Sequence, residues 1–185
     1  MGKTVVLDPG HGGSDSGATG GGFREKDLTL KIAKRIERTL KGNYNVDVRM
    51  TRTSDKTMSL KQRTDFANKM GAHYYASIHI NSGGGTGYED YIFNQLSDTG
   101  DTGKYRSAVH NEVKKVLNKY GVNNRGKKQA NFHVLRETQM SAMLSENLFI
   151  DTTADQELLK NNNFINDIGD AHARGIARAL GLNNG

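Results

Sequence analysis

The chain of 185 residues contains no cysteine, which excludes disulfides and thiolate metal sites, so any bound metal must rest on imidazole and carboxylate groups. It has little apolar material: 35% hydrophobic residues, a mean hydropathy of −0.69, and no apolar run long enough to span a bilayer. A soluble chain without an integral membrane segment is the expectation. No signal peptide is read either, because Val5-Val6-Leu7 is cut short by Asp8-Pro9-Gly10, which holds the only proline. Neither GxGxxG nor GxxxxGK[ST] occurs, and Gly121 to Gly126 with Lys127 continues into Lys128, so a nucleotide-phosphate cradle is discounted. No internal repeat, linker or second domain is visible. The length suits one domain, residues 1–185, with room for a real core but none for an added wall-binding module.

Charge is present in excess and unevenly. The net charge is +6, and residues 1 to 80 hold 14 Lys+Arg against 8 Asp+Glu, while residues 81 to 185 hold 12 of each. A basic half attracts nucleic acid, anionic membrane or an anionic wall polymer, and charge alone does not choose among them.

The informative stretch is Leu7-Asp8-Pro9-Gly10-His11-Gly12-Gly13 and the glycine-rich run that ends at Glu25. Lys3 to Asp8 has the β-branched run of a buried strand, closed by Pro9-Gly10, so His11 sits just past a strand's carboxyl end, where open α/β sheets place their ligands. A second histidine, His79, ends the run Ser77-Ile78-His79-Ile80-Asn81. With Glu25 these make two imidazoles and a carboxylate, a donor set that suits zinc and leaves one of four tetrahedral positions open. Hydrolysis is the chemistry this points to.

Periodicity supplies the frame. Leu28, Ile32, Ala33, Ile36 and Leu40 fall on one helical stripe ended by Gly42, with Glu25 just before its start, where an acidic residue also suits the helix dipole. Val46, Val48 and Met50 alternate as a strand. Ser59 with Gln62 opens a helix whose face is Leu60, Thr64, Ala67 and Met70. In the strand His73 to Ile80, residues His73, Tyr75, Ser77 and His79 share a face, which sets His73 at the far end as a surface residue. Tyr88 to Phe93 reads as a strand, 104 to 120 as a helix stopped by Gly121, and Phe132 to Arg136 as a short strand. His110 falls off the helical stripe and is assigned to solvent, and His133 is either a half-buried strand residue or a substrate contact or alternative ligand. Ala142, Leu144, Glu146 and Leu148 share one strand face, so an ionised Glu146 must be paired, at a metal or at the strand's end. The closing helix, 164 to 181, buries Phe164, Ile165, Ile168, Ile176 and Leu180, with His172 at the core edge. Strand, helix, strand, helix, strand predicts a single α/β domain: a mixed twisted sheet of about six strands flanked by helices.

In combination, Asp8-Pro9-Gly10-His11-Gly12-Gly13, Glu25-Lys26, Thr51-Arg52-Thr53-Ser54-Asp55, Leu60 with Arg63, Ala67-Asn68, Ser77-Ile78-His79 with Asn81, and Glu146 resemble the zinc-dependent N-acetylmuramoyl-L-alanine amidases of the amidase-3 type. The resemblance covers nearly the whole chain. It departs at Ser141, where a proline is common, and at His73, where an acidic residue is usual. It implies a Zn2+ enzyme of phage endolysins and bacterial autolysins, acting on peptidoglycan at the cell wall after secretion or lysis. It also implies cleavage of the amide between N-acetylmuramic acid and L-alanine. Its catalytic glutamate matches Glu146, as base and then acid around a water activated by the metal of His11, Glu25 and His79. Asn81, His133 and Arg136 are the substrate-binding candidates, and Arg52 a weaker one. A monomer with no nucleic-acid partner is expected. Another zinc amide hydrolase, a peptidase or a deacetylase, shares the metal site; a non-catalytic binder of anionic polymer is the rival from another class.

Overall fold

A computed structural model describes residues 2–185. Its strands are β1 (Lys3–Pro9), β2 (Thr19–Gly20), β3 (Phe23–Arg24), β4 (Val46–Met50), β5 (Tyr74–Asn81), β6 (Tyr88–Phe93), β7 (Asn124–Ala130) and β8 (Ser141–Phe149). Its helices are α1 (Glu25–Asn43), α2 (Leu60–Lys69), α3 (Asp101–Tyr120), α4 (His133–Arg136), α5 (Thr153–Lys160) and α6 (Asn162–Leu180). Six strands form one mixed sheet in the order β4-β1-β5-β8-β6-β7, and β2 with β3 forms a separate ribbon. The first four run parallel, while β6 is antiparallel to β8 and parallel to β7. The predicted α/β fold with a six-stranded mixed sheet is what the chain adopts.

Alternation along the strands divides the core in two. Val5 and Leu7 of β1, with Tyr74, Ala76 and Ile78 of β5, belong to the larger cluster, which α1, α3 and α6 cover with Leu28, Ile32, Ile36, Val109, Val113, Ile168 and Ile176. Val6, Tyr75, Ala142 and Leu144 point the other way, toward Ala67 of α2 and Val134 and Leu135 of α4. Only these two shorter helices cover that second face. Toward the carboxyl ends of β1, β5 and β8 its residues turn polar: Asp8, Ser77, His79 and Glu146.

Several local expectations are corrected. Gly42 does not end α1, which runs on to Asn43 and stops where Tyr44 turns extended; glycine costs a helix only ~1 kcal/mol, and Tyr44 packs on the core beyond it. Phe132 to Arg136 is a helical turn: Arg136 and Glu137 N–H groups donate to the Phe132 and His133 carbonyls, and both Val134 and Leu135 are buried. On α2 the Ser59–Gln62 capping box forms as expected, with bonds of 3.1 and 2.8 Å, but Leu60 and Met70 are exposed while Arg63, Thr64 and Ala67 are buried. His110 is buried, its Nδ1 2.7 Å from Asp90 Oδ2 and its Nε2 3.1 Å from Asn124 Nδ2, because α3 is covered on a second face by β6 and β7. His172 is wholly buried.

Candidate active site

His11 is built into a backbone that an L-residue seldom adopts. Its φ is 61°, in the left-handed region, which for a non-glycine residue must be held by its surroundings. Two buried arginines hold it. Arg52 donates to the carbonyls of Pro9 (3.0 Å), Gly10 (2.9 Å) and Lys26 (2.8 Å), while Arg63 donates to those of Pro9 (2.7 Å) and His11 (2.7 Å) and to Asp8 Oδ1 (2.9 Å). Carbonyls that leave the strand for a buried turn need such donors. Asp8 also accepts from Thr51 (2.6 Å) and Ser77 (2.8 Å); burial acts to raise its pKa, and Arg63 with the Thr51 hydroxyl holds it below the usual carboxylate range.

Glu25 is the first residue of α1 and is buried. Its Oε1 accepts from Ile80 N (3.0 Å) and its Oε2 from Ala18 N (2.9 Å), so the carboxylate is fixed from both sides. The same oxygens face the two histidines: Oε2 lies 3.1 Å from His11 Nε2, and Oε1 3.0 Å from His79 Nδ1. One ligand atom from each of the three residues lies within 4.8 Å of the others. Burial pushes Glu25 up, but the two imidazoles outweigh it and hold the group well below the ordinary range. The hydrogen bond to Glu25, helped by Asp15, raises His11 to about 9.

The residues fit a metal ion on two counts. The donor set is two imidazole nitrogens and a carboxylate, drawn together at the cleft, and it is one that zinc takes readily. The packing that allows this convergence depends on absent side chains: a Cβ at Gly10 would lie 2.4 Å from the His79 ring, and one at Gly17 would lie 2.6 Å from Glu25 Oε2 and 2.7 Å from His11. This cluster could hold a metal ion.

Glu146 lies beside His79 in the parallel register of β5 and β8, and opposite Glu89 across β6. Its Oε2 is buried without a hydrogen-bond partner, and burial, with Glu25 and Glu89 adding to it against the opposing pull of His79, raises its pKa to about 7. A cleft of ≈520 Å³ joins these groups, lined also by Met58, Ser59, Leu60, Phe132, His133 and Val134.

The other sequence candidates divide. Asn81 reaches the cleft, but its amide donates to Glu89 Oε1 (2.9 Å) and accepts from Ser82 N (2.9 Å), which ties it to Glu89, itself paired with Arg125 and Lys128. His133 lines the cleft with Nε2 buried and unpartnered. Arg136 is not brought to the cleft; it is exposed and bonds Glu137 Oε1 and Asn131 Oδ1, each at 2.7 Å. Arg52 holds backbone. His73 sits at the opposite end of its strand and accepts from Thr4 N (3.0 Å). Sequence reasoning gave no role to Arg63, Asp8 or Asp15; a turn aspartate four residues after a candidate ligand histidine is the available signal for the last.

Residues 5–178 match the family Amidase_3, N-acetylmuramoyl-L-alanine amidase. The chain belongs to the amidase-3 family. Among this amidase's relatives, "N-acetylmuramoyl-L-alanine amidase CwlM" of Bacillus licheniformis is 51% identical over 179 residues, covering 96% of this chain and 69% of that protein. The "Endolysin" of Bacillus phage SPP1 is 44% identical over 183 residues, covering 98% and 68% respectively. The solved catalytic domain of CwlV, an N-acetylmuramoyl-L-alanine amidase from Bacillus (Paenibacillus) polymyxa var. colistinus, superposes with a TM-score of 0.90 at 33% identity, over 98% of this chain and 99% of that one. The amidase is thus a peptidoglycan hydrolase of the N-acetylmuramoyl-L-alanine amidase type. Among the described residues no helix is long and apolar enough to cross a membrane.

Proposed function

We propose that this amidase holds Zn2+ with His11, Glu25 and His79, and that Glu146 moves the proton in hydrolysis of the amide joining the lactyl group of N-acetylmuramic acid to L-alanine. When bound, the ion supplies a water of lowered pKa and polarises the scissile carbonyl. Glu146 accepts a proton from the attacking water as its oxygen bonds to the carbonyl carbon, and returns a proton to the alanine nitrogen as the C–N bond breaks. The products are a lactyl carboxylate and a free α-amino group. Asn81, kept in place by Glu89, and His133, both lining the cleft, contact the substrate. The chain, residues 1–185, acts as one catalytic domain on the cell wall, reached by secretion or lysis, and works as a monomer.

The observation that carries this reading is a single cleft that joins three converging donor groups to an unpartnered, buried carboxylate oxygen, Glu146 Oε2. Elemental analysis tests it: the wild type is expected to hold about one zinc, and His11→Ala, Glu25→Ala and His79→Ala each to lose it, since three ligands cannot spare one. Glu146→Gln should keep zinc and fold while kcat falls by roughly 10²–10⁴-fold. Full zinc in His79→Ala, or near-normal turnover in Glu146→Gln, would sink the assignment of that residue.

A further inference from the structure

We propose that Asp15 is a positioning residue that commits His11 to binding the metal through Nε2, by accepting the proton carried on Nδ1. This rests on His11 being a metal ligand, as proposed above. A neutral imidazole carries one proton, and the nitrogen without it is the one that can bind a cation. In this chain the two nitrogens of His11 face different carboxylates: Nε2 points to Glu25 Oε2 at 3.1 Å, inside the cluster, and Nδ1 points outward to Asp15 Oδ2 at 2.8 Å. His79 is oriented the other way, with Nδ1 toward Glu25. The two histidines therefore offer opposite nitrogens, and for His11 it is Asp15 that selects which.

Asp15 is placed for this by a closed turn. Gly12 N donates to Asp15 O (2.8 Å) and Asp15 N to Gly12 O (3.1 Å), which brings the chain back beside His11, whose own φ of 61° starts the turn. Gly17 N then donates to Asp15 Oδ1 at 3.0 Å, so both carboxylate oxygens have partners. Shaping the turn needs only Oδ1. The second oxygen, on the imidazole, is what a purely local turn residue has no use for. The Asp15 side chain is 61% exposed, so its bond to His11 competes with water, and removing it should weaken metal binding without abolishing it.

Asparagine separates the two roles, because its carbonyl oxygen can still accept from Gly17 N while its amide nitrogen cannot accept the imidazole proton. Zinc affinity, measured by chelator competition on metal-stripped protein, is expected to fall ~10–100-fold in both Asp15→Asn and Asp15→Ala. The melting temperature of metal-free Asp15→Asn should match wild type. In zinc-loaded protein with ¹⁵N-labelled histidine, the Nδ1 proton of His11 should be visible in the wild type and exchange away in Asp15→Asn, with His79 unchanged. Wild-type affinity in both variants would overturn the proposal, and so would a loss of affinity matched by a loss of metal-free stability, which makes Asp15 structural. His11→Ala runs alongside: if it binds zinc as well as wild type, the ligand assignment itself has failed, whereas its loss beside an unaffected Asp15→Ala defeats Asp15 alone.

Discussion

The side chains that decide the geometry of this site are not only the ones that would touch a metal. Asp8, Arg52 and Arg63 are all but inaccessible; the two arginines donate to the carbonyls of Pro9, Gly10, His11 and Lys26, the backbone from which His11 and Glu25 project, and Asp8 pairs with Arg63. Breaking a buried ion pair by removing one partner leaves an uncompensated charge, at a cost of about 3–5 kcal/mol. Arg63→Ala should therefore destabilise metal-free protein by about that much, enough to lower Tm by roughly 10 °C in a domain of this size. Arg63→Lys should cost less, because a lysine can pair with Asp8 while giving up most of the carbonyl bonds. Denaturant melts of both variants check this, and a loss under 1 kcal/mol in Arg63→Ala would show that the clamp is dispensable. Of this the sequence displays the candidate ligands and little of the clamp. Histidines at strand ends advertise themselves through glycine turns and β-branched runs, whereas arginines 42 to 54 residues downstream carry no local sign that they will cap the carbonyls of Pro9, Gly10 and His11.

Elements were legible in proportion to the apolar periodicity they carry. The strands at Val46–Met50, Tyr74–Asn81, Tyr88–Phe93 and Ser141–Phe149, and the stripes of α1, α3 and α6, stand out because the residues they bury are apolar runs or alternations that recur at the spacing of the element. β7, with the sequence NRGKKQA, was invisible: it is an edge strand made by pairing with β6, its lysines protect an edge, and almost nothing on it is apolar. α4 is too short for periodicity to separate helix from strand, which is why the sequence suggests a strand at His133. α6 carries an element-scale consequence. His172, at its centre, is neutral and fully buried, donating from Nε2 to Asn147 Oδ1 (2.9 Å), and Asn147 in turn donates to His79 O (3.1 Å). Burial lowers the His172 pKa from 6.5 to about 3. The unfolded chain therefore takes up a proton that the native chain refuses. Stability from this residue is complete above ~6.5 and is lost as pH falls from there toward 3, with a slope approaching ~1.4 kcal/mol per pH unit. His172→Gln keeps a donor for Asn147 and cannot titrate. Its stability curve should thus lose less than the wild type's between pH 6.5 and 5, and two curves that stay parallel would contradict the account.

At the scale of the whole molecule, function follows from unequal cover on the two faces of one sheet. Three long helices close one face over a continuous apolar core, while α2 and α4 close only part of the other. At the carboxyl ends of β1, β5 and β8 that incomplete cover leaves the cleft, where alternation aims Asp8, His79 and Glu146 to the same side. Mixed strand direction brings Glu89 of β6 up against Glu146 from the opposite sense, which adds a carboxylate to the surroundings that raise it. A charge-based binder of wall polymer would need none of this, and a peptidase or deacetylase would need all of it while cutting a different bond. The most direct test is therefore mass spectrometry of purified peptidoglycan digested by the zinc-loaded protein. The account predicts new alanine α-amino groups and free lactyl carboxyl groups, with no new reducing sugar ends. Intact lactyl-peptide links beside cleaved stem peptides, or released acetate, would contradict it.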